Sequence, residues 1–146
     1  MFASGFPYVD KEIVDRVLSI IPPNTYGDCS VHVCDTTVDF LGISFPYRLY
    51  TLDVEDSVLL ELDYIERTVL HCVYTRSCEG YVREKHIKAL LSGDFQEWTI
   101  PYIVKVCDEY VMEILQTVYS RLKEIRINSR NFALKIQKIS AEAIAV

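Results

Sequence analysis

The chain has 146 residues, half of them hydrophobic and a quarter charged, with five Gly and five Pro, a make-up that excludes a disordered or collagen-like chain and suits one packed domain. The formal charge of -6 is unevenly spread: residues 1–66 hold twelve Asp and Glu against three Lys and Arg, residues 67–146 nine against twelve. An acidic half repels phosphate, which argues against direct nucleic-acid binding and favours a basic protein as partner.

Val9, Ile13, Val17 and Ile21 recur at helical spacing, and Pro22 and Pro23 cannot continue the hydrogen-bond ladder, so the spacing predicts a helix over 9–21. The following NTYGDC reads as a turn. From Val31 the period becomes two: Val31 and Val33, Val38 and Phe40, then Ile43, Phe45, Tyr47 and Leu49 alternate. Gly42 lies between the last two runs, which predicts a hairpin or bent ribbon, and Pro46 assigns its second strand to a sheet edge. Two strands alone are marginal, so the ribbon must lie on helices.

Asp53 reads as a helix cap, with Glu55 and Asp56 where the helix dipole favours negative charge. Val54, Val58, Leu62, Ile65, Val69 and Val73 form one apolar stripe and extend the expected helix over 53–74, until residues 76–80 break it. A shorter helix is expected over 81–91, with Val82, His86, Ala89 and Leu90 inward and Ser92, Gly93 and Asp94 ending it. Beyond Trp98, apolar residues from Ile100 to Ile125 fall at steps of three and four. That permits one helix over 99–125, or two with a turn at Asp108 and Glu109. A last helix over 129–144 presents Phe132, Ile136, Ile139 and Ala143. No linker divides the chain, so the expectation is a single domain over 1–146, with a helix and β-ribbon in 1–52 and helical repeats in 53–146. The fold class is mainly α, with α+β as the alternative. No apolar run approaches membrane-spanning length and MFASGFPYVDKE has no basic region before an apolar stretch, so a soluble cytoplasmic protein without membrane contact is expected.

EGYVREKHIKALL (79–91) and DEYVMEILQTVYSRL (108–122) read as two versions of one phrase: with Tyr81 set on Tyr110, Val82 falls on Val111 and Glu84 on Glu113. On Glu79, Tyr81, Val82 and Arg83 in the first unit and Asp108, Tyr110 and Val111 in the second, residues 65–122 resemble HEAT-like α-repeats. That resemblance implies helical hairpins that stack into a binding surface. Met112 stands where the repeat expects Arg, which implies a distorted or terminal unit. In size, acidity and lack of a chemical motif the chain is also similar to the bacterial immunity proteins encoded beside polymorphic or contact-dependent growth-inhibition toxins. This second resemblance implies a protein without activity of its own that masks the active site of a toxin, often a basic nuclease.

Five Cys without a CxxC spacing indicate neither a disulfide framework nor a zinc knuckle. Cys29, His32 and Cys34 lie close in sequence, but strand alternation puts His32 and Cys34 on one face and Cys29 on the other. No metal and no cofactor is therefore expected. His71 and Cys72 are adjacent on a helix, about 100° apart, and cannot form a nucleophile–base pair with each other. His86 reads as a packed histidine. With no glycine-rich loop, nucleotide fingerprint or activated Ser, the chain is expected not to be an enzyme, and a Cys/His enzyme ranks last. Asp56, Asp63 and Glu66 flank the apolar stripe and form the expected acidic binding face. Among the ten Tyr, Tyr74, Tyr81 and Tyr110, with Tyr64 beside them, flank helix ends where amphipathic rings serve as interface anchors. A homo-oligomeric α-repeat scaffold is the alternative from a different class.

Overall fold

The computed structural model describes residues 2, 4–22, 37–92, 96–107, 116, 119 and 120. Cys29, His32, Cys34, Tyr110, the Val31 and Val33 run, the turn at Asp108 and Glu109 and the helix over 129–144 lie outside the described residues. The fold is mainly α with one small β-ribbon. Its elements are α1 (Lys11–Ser19), β1 (Thr37–Phe40), β2 (Ile43–Pro46), α2 (Asp56–Leu60), α3 (Tyr64–Tyr74), α4 (Gly80–Leu91), a 3-10 turn (Glu97–Thr99) and α5 (Ile100–Cys107).

In α1 the helical spacing brings Val14 and Val17 to the buried face. The helix packs on α3, which also packs on α4. β1 and β2 pair antiparallel, Thr37 opposite Pro46 and Phe40 opposite Ile43. Between them Leu41 and Gly42 both take positive φ, 51° and 84°, the left-handed pair that matches the twist of a two-residue hairpin. Ile43 and Phe45 point into the core while Thr37 and Asp39 face outward, as period-two alternation requires. The expected alternation through Leu49 stops early. β2 ends at Pro46, which has no N–H to give the ladder, and Leu49 instead forms a parallel bridge with Ser77 just after α3.

The largest correction concerns the helix expected over 53–74, which is two helices. Asp63 is extended, with ψ 177°, and caps α3: its Oδ1 accepts from the Glu66 amide at 2.8 Å, and Glu66 Oε1 accepts from the Asp63 amide at 3.3 Å. This reciprocal capping box satisfies two first-turn donors, and an uninterrupted helix would have lost both bonds. The phrase Asp63-Tyr64-Ile65-Glu66 carries that signal in the sequence, and an apolar stripe that happens to bridge the break conceals it. α2 starts after Glu55, so Asp53 caps no helix. α4 starts one residue before the expected position. It buries Arg83, Ile87 and Leu91 in addition to Val82, His86 and Leu90, while Ala89 is half-buried.

Around α5, Tyr102 stacks on Phe6 at 5.1 Å, leans on Phe45 at 5.1 Å and donates its hydroxyl to the Gly5 carbonyl at 2.8 Å. Gly5 is required by closeness: a Cβ there would stand 2.5 Å from Tyr102 Oη and 3.1 Å from the Ser44 carbonyl. Arg76, fully buried, joins the two halves of the core. Its Nε donates to the Pro46 carbonyl at 3.2 Å, its Nη2 to the Tyr47 carbonyl at 2.6 Å, and its guanidinium covers the Phe45 ring at 5.1 Å. Arg76→Ala leaves both carbonyls without that donor in a dry site, so urea denaturation of the variant is expected to show a loss of about 3 kcal/mol or more.

Candidate functional site

Residues 52–63 carry five carboxylates and no basic side chain. α2 buries none of its residues, and Leu60 is 83% and Leu52 50% exposed. Lys85 of α4 bonds Asp53 at 2.8 Å and Asp56 at 3.3 Å, which sets the start of α2 against α4. Tyr81, one turn before Lys85 on the same helix face, is 70% exposed. Its hydroxyl bonds Glu79, and that carboxylate holds the phenol above its usual pKa. The exposed apolar groups of this acidic stretch and of the α4 face beside it, here termed the ledge, are Leu52, Leu60 and Tyr81, and its carboxylates are Glu55, Asp56 and Glu61.

Of the residues expected at the binding face, Asp56 and Tyr81 stand on this ledge. Glu66 does not. It is buried, closes the capping box, and receives Arg16 Nε of α1 on its Oε2 at 2.9 Å, so its charge fastens α1 to α3. Asp63 is exposed, but its carboxylate serves the box, and the bond from the Glu66 amide holds its pKa low. Tyr74 is also a correction. It is fully buried, its ring stacks on His86 at 4.7 Å and its hydroxyl donates to the Leu52 carbonyl at 2.8 Å. Tyr74 follows Val73 at the end of α3, where His86 of α4 and the segment at Leu52 cover it. Tyr64, at the start of α3, is 38% exposed.

Sequence reasoning treated the histidines and Asp53 separately, and the fold joins them. His86 is fully buried; its Nε2 lies 2.7 Å from Asp53 Oδ1 and its Nδ1 2.8 Å from His71 Nδ1. Burial alone would raise the Asp53 pKa, but hydrogen bonds from His86 and Lys85 outweigh it and hold the carboxylate below its usual range. An ionised Asp53 requires a proton on His86 Nε2, and a 2.8 Å contact between two Nδ1 atoms requires one proton between them. With both rings neutral that proton rides on His71 Nδ1, and His71 Nε2 is left a lone pair. Burial, reinforced by His86, lowers the His71 pKa to about 4. The signal in the sequence was faint: His71 and His86 are fifteen residues apart, and only the α3–α4 packing opposes them.

His71 also lines a cavity of about 220 Å³ between α3, α4 and the 3-10 turn, with Arg67, Thr68, Ala89, Leu90, Ser92 and Gln96 among its walls. Cys72 is fully buried, and burial pushes its thiol well above the usual range, the opposite of an activated nucleophile. Among the described residues no group of three or more His, Cys, Asp or Glu could hold a metal, and no helix is long and apolar enough to cross a membrane.

The depressed pKa of His71 sets a pH dependence. An unfolded His titrates near about 6.5 and the folded ring near about 4, so over that window the unfolded chain binds the extra proton and stability drops as the pH is lowered, by up to about 1.4 kcal/mol per unit. Asp53 acts in the same direction but at lower pH: its lowered pKa stabilises the fold above its unfolded value of about 3.9, so its contribution is constant across this window. His71→Gln is expected to flatten the curve between pH 6.5 and about 4, as read from urea midpoints, and histidine NMR is expected to place the His71 midpoint far below that of a free imidazole.

No protein-family model, no curated protein and no solved structure matches this chain.

Proposed function

We propose that this chain is a binding protein that neutralises a basic protein toxin in the cytoplasm by covering the toxin's active site, as an immunity protein does, and that it performs no chemistry on the toxin. The observation that carries this reading is Leu60, 83% exposed on a helix with no fully buried residue, inside a run of five carboxylates with no base. An exposed large apolar group on a surface otherwise packed with charge costs solubility and gains nothing for the fold, which favours use at an interface. The rim supplies the complement of a cationic surface such as a nuclease uses for phosphate. Leu60 and Tyr81 then serve as anchors at the centre of the contact. Two copies of this chain would meet ledge to ledge with like charges opposed, which disfavours a homo-oligomeric scaffold through the same face. Consecutive α3 and α4, packed on each other, support reading residues 65–122 as a HEAT-like hairpin that holds the ledge rigid.

The carboxylates to reverse are Glu55, Asp56 and Glu61; Asp63 and Glu66 are unsuitable because changing them unfastens α3. With a candidate toxin encoded by the adjacent gene, the triple Lys variant is expected to associate about tenfold or more slowly at low salt, with the difference shrinking at high salt. Leu60→Ala and Tyr81→Ala are expected to act on the off-rate instead, each by about 2 kcal/mol if it is an anchor. Binding kinetics at two salt concentrations, beside a growth-protection assay, make the test. Unchanged kinetics in all three variants would remove the ledge as the interface.

A further inference from the structure

The cavity beside His71 lies apart from the ledge, and its walls have a chemistry of their own. Arg67 and His71 are four residues apart on α3 and so share the face that lines it. Among the described residues the Arg67 side chain makes no hydrogen bond or ion pair, so a permanent positive charge stands at the cavity without a counter-ion there. His71 has Nδ1 committed to His86, which leaves the opposite ring edge, Nε2, to face the cavity. The remaining described walls are neutral: Tyr64, Thr68, Ser92, Gln96 and Thr99 are polar, and Ala89 and Leu90 give an apolar side.

We propose that this cavity is a binding site for a compact monocarboxylic acid, whose carboxylate is held by Arg67 and His71 and whose short apolar tail lies on Ala89 and Leu90. The volume of about 220 Å³ suits a ligand of a few heavy atoms and falls below the range of drug-sized pockets. The charge balance selects a monoanion. Arg67 neutralises one negative charge, whereas a phosphate dianion would leave a second uncompensated.

The histidine pair adds a proton to the binding step. A carboxylate cannot be met by the His71 lone pair, so the bound state holds one more proton than the separated partners. Drawn as the acid, the ligand's O–H bond breaks and an Nε2–H bond forms on His71; in neutral solution the same proton comes from the solvent. The charge that appears on His71 is answered through His86 by Asp53, at 2.8 Å and 2.7 Å along the chain. Among the described residues, the charged and titratable groups around His71 are His86 and Lys85 from α4, Asp53 from the segment before α2, and Arg67 and Tyr64 from α3 itself. The facing part of the 3-10 region, Gln96 and Thr99, is neutral. Between about pH 7 and about pH 5 both free His71 and a free carboxylic acid are deprotonated, so each unit of falling pH is expected to raise the affinity about tenfold.

The test uses propionate as probe on the full chain, with calorimetry for affinity and side-chain nitrogen NMR for the imidazoles. Propionate is expected to bind with the tenfold-per-unit pH slope and to convert the His71 Nε2 resonance from the lone-pair to the protonated position. Arg67→Gln is expected to weaken binding at least tenfold while leaving the free protein's His71 resonance in place. His71→Gln is expected to abolish the pH slope. The assignment is overturned if propionate fails to bind at tens of millimolar near pH 5, binds without a pH slope, or binds Arg67→Gln equally well. None of these outcomes depends on whether a toxin binds the ledge.

Discussion

The buried guanidinium of Arg76 is the interaction on which the rest of the arrangement depends. The chain leaves the β-ribbon at Pro46 and Tyr47 with carbonyls turned inward, in a place where no strand partner follows because the ribbon has ended. A charge with donors in a rigid fork satisfies both carbonyls at once, and its flat face covers Phe45. Beside it, the Leu49 amide donates to the Arg76 carbonyl at 2.6 Å and the Cys78 amide to the Leu49 carbonyl at 3.0 Å. Side chain and backbone thereby sew the ribbon's exit to the corner between α3 and α4. That corner decides where residues 50–55 run, and so where Asp53 meets His86. The histidine pair is a consequence of the seam two turns away.

The capping box at Asp63 has the complementary role. By ending one helix and starting another, it lets the short helix 56–60 lean on the core only through half-buried Val58 and Leu59 while Leu60 stands out in solvent. The same Glu66 that completes the box ties α1 to α3 through Arg16. Rigidity behind the break and exposure in front of it thus come from one pair of carboxylates. A partner meeting Leu60 would meet a group that is presented, not one that must first be pulled out of a core.

The periodicities that report on single elements were legible in the sequence. α1, the hairpin about Gly42, α4 and the start of α5 follow from spacing, and each buries the face its apolar residues mark. What spacing does not report is which carboxylate goes where. Asp53, Asp56, Asp63 and Glu66 look alike as members of one acidic face, yet one holds His86, one meets Lys85 at the surface and two build a helix start. The distinction depends on the break at Asp63, where a local hydrogen-bond pattern prevailed over an apolar stripe. Tyr74 was misplaced for a related reason: a helix end is solvent-exposed only if nothing crosses it, and the segment at Leu52 does. The His71–His86 contact requires knowing that two helices oppose each other at one level, which a periodic pattern does not encode.

The bond from Tyr102 to Gly5 spans 97 positions of the chain. Phe2, Phe6, Trp98 and Tyr102 gather around it, with ring centroids 5.1 to 6.0 Å apart. During synthesis Phe2 and Phe6 therefore leave the ribosome before Trp98 and Tyr102 exist, and they wait until α5 has emerged. Closing so long a loop carries its entropy cost before any contact returns it. The apolar residues at positions 2 and 6 are thus exposed while the 97 positions up to Tyr102 are made, which makes this segment, and not the locally paired ribbon, the place where association with a chaperone or with another nascent chain would begin.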